Sequence, residues 1–123
     1  MKNRHLTDSF RCAFRGIFQA LKTEKNFKLH LLAMIIVMLM AWYFHLSTGE
    51  YLVLIITVLL VIITELLNTA IEYTVDLVCG NRYSELAKYA KDIAAGATLL
   101  AALGSVIIGC IIFLPKIIER YMG

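Results

Sequence analysis

The sequence predicts an all-α integral membrane protein, a single membrane-embedded domain over residues 1–123, with three transmembrane helices behind an N-terminal amphipathic surface helix. Three observations predict it. The chain has 123 residues, of which 60% are hydrophobic and only 1 is proline, a composition far from that of a soluble domain of this size. Its apolar residues gather into runs at about 29–46, 51–78 and 93–114, each close to the ~20 helical residues that cross a hydrocarbon core of ~30 Å. A chain this short cannot supply the strands of a closed barrel, which leaves helices as the spanning structure.

The surface helix comes first, at about 5–24. Leu6, Phe10, Ala13, Phe14, Ile17, Phe18 and Leu21 recur at helical spacing, and Arg4, Asp8, Arg11, Arg15, Gln19 and Lys22 take the opposite face. Such a helix lies in the membrane interface, apolar side down and basic side toward headgroups and water. Its basic residues stand where an anionic ligand would arrive. The first apolar run begins only after 28 largely polar and amphipathic residues, so no cleaved signal peptide is expected.

The first span leads into the turn Ser47 to Glu50, which carries no Lys or Arg. Ten of the twelve Lys and Arg precede the first span or lie between the second and third; Lys116 and Arg120 alone follow the third. The positive-inside rule then places the N-terminus in the cytoplasm and the C-terminus outside. The net charge of +3 reads as topology and attraction to anionic lipid, with no nucleic-acid partner expected. Cys12, Cys79 and Cys110 have no metal-ligand spacing and read as small apolar fillers.

The second span carries the most informative feature. Glu65, Asn68, Glu72 and Asp76 fall near 0°, 300°, 340° and 20° around a helix, an arc of roughly 80°. Ionisable groups in a span are costly and mark functional sites. Counting from Tyr51, a rise of 1.5 Å per residue sets Glu65 roughly 21 Å and Glu72 roughly 32 Å inward. The row therefore runs from lipid to water, suiting chemistry between a membrane-dissolved molecule and a water-soluble one. Carboxylates and an amide are also ligands that Mg²⁺ prefers. The competing structural reading is that these acids only pair with Lys and Arg on neighbouring helices.

Glu85, Lys88, Lys91 and Asp92 flank the start of the third span, and Glu24 stands just before the first. Lysine binds phosphate as a point charge, and a nearby acid can hold a metal or orient that lysine. Within the third span, Ala94, Ala95, Gly96, Ala97, Ala101, Ala102, Gly104, Ser105 and Gly109 form a face of small residues suited to close helix packing. Three spans enclose a polar site poorly, so a symmetric oligomer with the site near a subunit boundary is expected. No nucleotide-binding glycine loop or protein-kinase motif occurs, although phosphoryl transfer mainly needs positioning and charge neutralisation. His30 and His45 add little. The residues alone indicate an interfacial cation or phosphate site, with a small proton or cation pathway as the rival from another class.

Longer stretches go further. Glu65-Leu-Leu-Asn-Thr-Ala-Ile-Glu72-Tyr-Thr-Val-Asp76 and Ala90-Lys-Asp-Ile-Ala-Ala-Gly96, with Thr23-Glu-Lys-Asn-Phe-Lys-Leu-His30 and Ile111-Ile-Phe-Leu-Pro115, resemble the prokaryotic diacylglycerol kinase family of small membrane lipid kinases. They look closest to its Gram-positive branch, similar enzymes that phosphorylate undecaprenol with ATP. The resemblance implies Glu65 as general base toward the lipid hydroxyl, with Asn68 beside it holding geometry. It implies Glu24 and Glu72 as ligands of Mg²⁺ on the ATP phosphates, Lys91 and Asp92 as a phosphate-contacting pair, and Asp76 as a supporting acid near the nucleotide. Nucleotide contacts from Arg15 and Gly16 would come from the surface helix, where the match is loosest. The family also implies a homotrimer. His30 stands where the diacylglycerol-specific branch commonly has an acid, which favours undecaprenol over diacylglycerol as the lipid.

Overall fold

The computed structural model describes residues 5–123; Lys2 and Arg4, counted above among the basic residues, lie outside them. Its elements are α1 (Leu6–Thr23), α2 (Lys25–Tyr43), α3 (Thr48–Cys79) and α4 (Glu85–Tyr121), with no strand among the described residues. Helices α2, α3 and α4 are each long and apolar enough to cross a membrane. On α1, Phe10, Phe14 and Phe18 are exposed, as on a helix whose apolar side rests on acyl chains rather than on protein.

Helices α1 and α2 are separated by one residue. Glu24 is extended (φ −105°, ψ 113°), its N–H donates to the Ala20 carbonyl at 2.9 Å, and its own carbonyl accepts from Lys28 at 3.4 Å. The first membrane helix therefore starts at Lys25, ahead of the apolar run, because Lys25, Asn26 and Lys28 continue the helix without being apolar. Its far end closes at Tyr43. His45 adopts a left-handed φ of 53°, its N–H reaches the Trp42 carbonyl, and the Leu46 N–H reaches the Ala41 carbonyl, the paired bonds of a Schellman cap. Ser47 then caps α3 reciprocally. Its hydroxyl accepts from the Glu50 N–H at 3.2 Å, and its N–H donates to the Glu50 carboxylate at 3.0 Å, which satisfies two otherwise orphaned donors.

Helix α3 has 32 residues, about 48 Å of helix. Helix α4 has 37 residues, about 55 Å. Both exceed a hydrocarbon core of ~30 Å, so part of each stands in headgroups or water. Helix α4 begins earlier than the third apolar run because the Ser84 hydroxyl accepts from the Ala87 N–H and starts a polar first turn. It also continues through Pro115, where the missing N–H forfeits a single ladder bond.

Two ion pairs fix α4 antiparallel to α3. Lys91 Nζ lies 2.7 Å from Asp76 Oδ1 at one end, and Lys116 Nζ lies 3.1 Å from Glu50 Oε2 at the other. Near the α2–α3 turn, Ala41, Leu46, Leu54, Ile112 and Phe113 form the apolar core. Beside it the Tyr43 and Tyr121 hydroxyls meet at 2.9 Å, and the Arg120 guanidinium sits 4.6 Å above the Tyr43 ring. The small-residue face of α4 is not packed within the chain at its glycines: a Cβ on Gly96, Gly104 or Gly109 would meet nothing within 4 Å.

Candidate active site

Along α3 the polar row changes from buried to open. Glu65 is 2% exposed and Asn68 9%, Glu72 is half-buried, and Asp76 is exposed. Asn68 Nδ2 donates to Glu72 Oε1 at 3.0 Å, one turn along the same helix. Its Oδ1 is buried without a partner, which is costly in the absence of a ligand or water. Thr69 returns its hydroxyl to the Glu65 carbonyl at 2.9 Å and so leaves the Glu65 carboxylate to other groups.

The break at Glu24 is held against this row. Thr23 Oγ1 donates to the Gln19 carbonyl at 2.9 Å and lies 3.1 Å from the Tyr73 hydroxyl. Residues 23 and 24 are thereby tied to the stretch 72–73 of α3, and Glu24 and Glu72 both lie close enough to act on the charge of Glu65. Neither Glu24 nor Glu72 pairs with a Lys or Arg among the described residues. The structural reading of the acids holds for Asp76, which pairs with Lys91, and not for these two.

On α4, Lys91 reaches across to Asp76, while its neighbour Asp92 takes Lys88 at 2.6 Å. The residues expected as an adjacent phosphate-contacting pair thus have separate partners. All four, with Arg82 and Ser84, still line one pocket of about 270 Å³ at the α3–α4 turn. Gly80 shapes that turn with a φ of 59°, a conformation open to glycine. On α1, Gly16 lines a groove against α3 with Ala20, Thr69 and Tyr73. Arg15 is exposed, and among the described residues no ion pair joins it to the acid row.

Two residues near this row were not among the candidates above. His30, weighed there only for lipid preference, brings Nε2 to 3.7 Å from Glu65 Oε2, a contact between helices that no local spacing reveals. Thr98 is buried and its hydroxyl has no partner. The ion pairs that set the α3–α4 register place it level with Asn68 and Thr69. Its only sequence signal was a hydroxyl one turn beyond Ala94, hidden in a face read as packing.

Among the described residues no three acids, His or Cys converge as a metal cage. The Glu24 and Glu72 carboxylates and the unmatched Asn68 oxygen are all hard oxygen donors. That set fits Mg²⁺, which binds through one or two carboxylates and keeps waters and substrate phosphates as its other ligands. The arrangement can therefore present a buried carboxylate to an alcohol in the bilayer and ammonium groups to an anion from water.

A family model described as prokaryotic diacylglycerol kinase matches residues 11–113. The chain is 46% identical to a diacylglycerol kinase of Synechocystis over 94% of its own length and 66% of the relative's. It is 44% identical to an undecaprenol kinase of Bacillus subtilis over 89% of its own length and 88% of the relative's. A diacylglycerol kinase of Escherichia coli K12 is 34% identical over 81% of each chain. With three helices able to span a membrane and a match over most of its length, the chain belongs to the prokaryotic diacylglycerol kinase family and is a lipid kinase.

Proposed function

We propose that the chain transfers the γ-phosphoryl group of ATP to the hydroxyl of undecaprenol, giving undecaprenyl phosphate and ADP. The observation that carries the reading is the exposure gradient of the α3 row, from Glu65 at 2% to the open Asp76. One end can meet a lipid hydroxyl out of water; the other can meet a triphosphate arriving from water.

Glu65 accepts the proton of the lipid hydroxyl as that oxygen attacks the γ-phosphorus. The bond from this phosphorus to the bridging oxygen breaks in line, and ADP leaves. Asn68 holds Glu72 by its amide. Mg²⁺ held by Glu24 and Glu72 would neutralise charge on the ATP phosphates. Lys91, kept over the pocket by Asp76, meets the phosphates together with the Lys88–Asp92 pair. Arg15 and Gly16 on α1 approach the nucleotide from the surface. Alignment and charge neutralisation supply most of what such a transfer needs.

The distribution of Lys and Arg supports a cytoplasmic N-terminus and an outer C-terminus in the bacterial cell membrane. The open glycine face of α4 and a site framed by few helices support a homotrimer. For the lipid, the Bacillus subtilis relative supports undecaprenol. The Synechocystis relative favours a second reading, diacylglycerol. The test is phosphate transfer from labelled ATP to both lipids in one micelle system, with a higher kcat/KM expected for undecaprenol. The reverse order selects the second reading, and ion flux in liposomes without ATP or transfer returns the proton or cation pathway.

A further inference from the structure

We infer that His30 is a positioning residue for Glu65, an imidazole on the neighbouring helix that holds the buried carboxylate in place. The inference rests on the proposed role of Glu65 as base. Glu65 is 2% exposed and pairs with no Lys or Arg among the described residues. A carboxylate removed from water without a counter-charge is strongly disfavoured.

Among the described residues the charged groups that bear on Glu65 are Glu24 at the α1–α2 break, Glu72 on α3 and His30 on α2, and no ion pair joins it to α1 or α4. Two of these three are acids, so His30 alone can carry the opposite sign. On α4, Lys91 is tied to Asp76 at 2.7 Å. His30 Nε2 lies 3.7 Å from Glu65 Oε2, beyond hydrogen-bond length, so the interaction is one of charge, strengthened where water is scarce. The imidazole also ends an apolar cleft of about 100 Å³ between α2, α3 and α4, lined by Met34, Val37, Leu54 and Val61. Its side chain is 26% exposed.

The sign follows from the imidazole. An imidazole carries charge at lower pH and loses it at higher pH, so a charge contribution to positioning would be greatest at the acid end of the active range and fade as pH rises. The test is kcat against pH for the full-length protein and for His30→Gln, with MgATP affinity measured on both as the check of folding. The expected loss is roughly 10- to 100-fold at the acid end, smaller than removal of a base and comparable to misplacing one. The gap should narrow as pH rises, with KM for MgATP unchanged. His30→Lys keeps a positive charge and should recover much of the acid-end rate. An equal loss at every pH, or no loss at all, overturns the inference. Glu65→Gln run alongside separates the two readings. If that variant still turns over, the base assignment has failed; if it is inactive while His30→Gln behaves as wild type, only the role of His30 has failed.

Discussion

Asn68 donates its amide to Glu72 at 3.0 Å while its own carbonyl oxygen stays buried and unmatched. A folding interaction would use both halves of a buried amide, because an orphaned acceptor costs about as much as a neutral hydrogen bond contributes. In the proposed site the open half of this amide is left for a ligand.

Replacing that residue should separate activity from stability. Asn68→Leu removes one hydrogen bond and one unsatisfied oxygen together, so stability in detergent should change by less than about 1 kcal/mol. Turnover should fall by roughly 100-fold or more, the scale on which a misplaced catalytic group is felt. Thermal unfolding and labelled-phosphate transfer on one preparation check both. A large stability loss with activity retained would assign Asn68 to the fold.

Glu24→Gln and Glu72→Gln should each weaken MgATP binding by at least the roughly 10- to 100-fold that loss of even an outer-shell metal partner costs. The double variant should lose less than the product of the two, because residues serving one ligand do not act independently. Titration of Mg²⁺ at fixed ATP reads this. Unchanged affinity in Glu72→Gln would remove it from the ligand set.

Tyr73→Phe deletes only the hydroxyl that meets Thr23 at 3.1 Å. The loss in stability should be about 0.5–1.5 kcal/mol. Glu24, one residue along, then loses its anchor to α3, so KM for MgATP should rise more than kcat falls. Steady-state kinetics at varied MgATP measures the split, and an unchanged KM would show that Glu24 is positioned by other means.

Much of this was legible beforehand, for physical reasons. Apolar runs long enough to span a bilayer declare themselves, and four polar residues within one helical arc need only the helix period to be seen. Helix ends were less legible. Residues 85–92 are polar yet helical, because hydropathy marks the part of a helix in lipid and not the helix itself. The third apolar run stops at Leu114, whereas α4 continues through Pro115 to Tyr121. Contacts between helices were hidden altogether. Nothing local joins His30 to Glu65 or sends Lys91 to Asp76 in place of Asp92, since those choices are made by packing.

His45 gives a test of the fold alone. It holds a φ of 53° in the cap of α2, a conformation that costs a non-glycine residue about 1–2 kcal/mol. His45→Gly should therefore stabilise the protein by up to about 1 kcal/mol, offset in part by the added freedom of glycine when unfolded, and leave transfer unchanged. Thermal denaturation in detergent measures it. Destabilisation would mean that the imidazole makes a contact more valuable than the relief of its backbone.

Transfer depends most directly on Glu65 in the proposed mechanism. Purified Glu65→Gln, supplied with undecaprenol and labelled ATP, should lose transfer by roughly the 100- to 10,000-fold that a general base contributes, while binding MgATP as the wild type does. Near wild-type turnover would contradict the account, and so would loss of MgATP binding in step with loss of transfer.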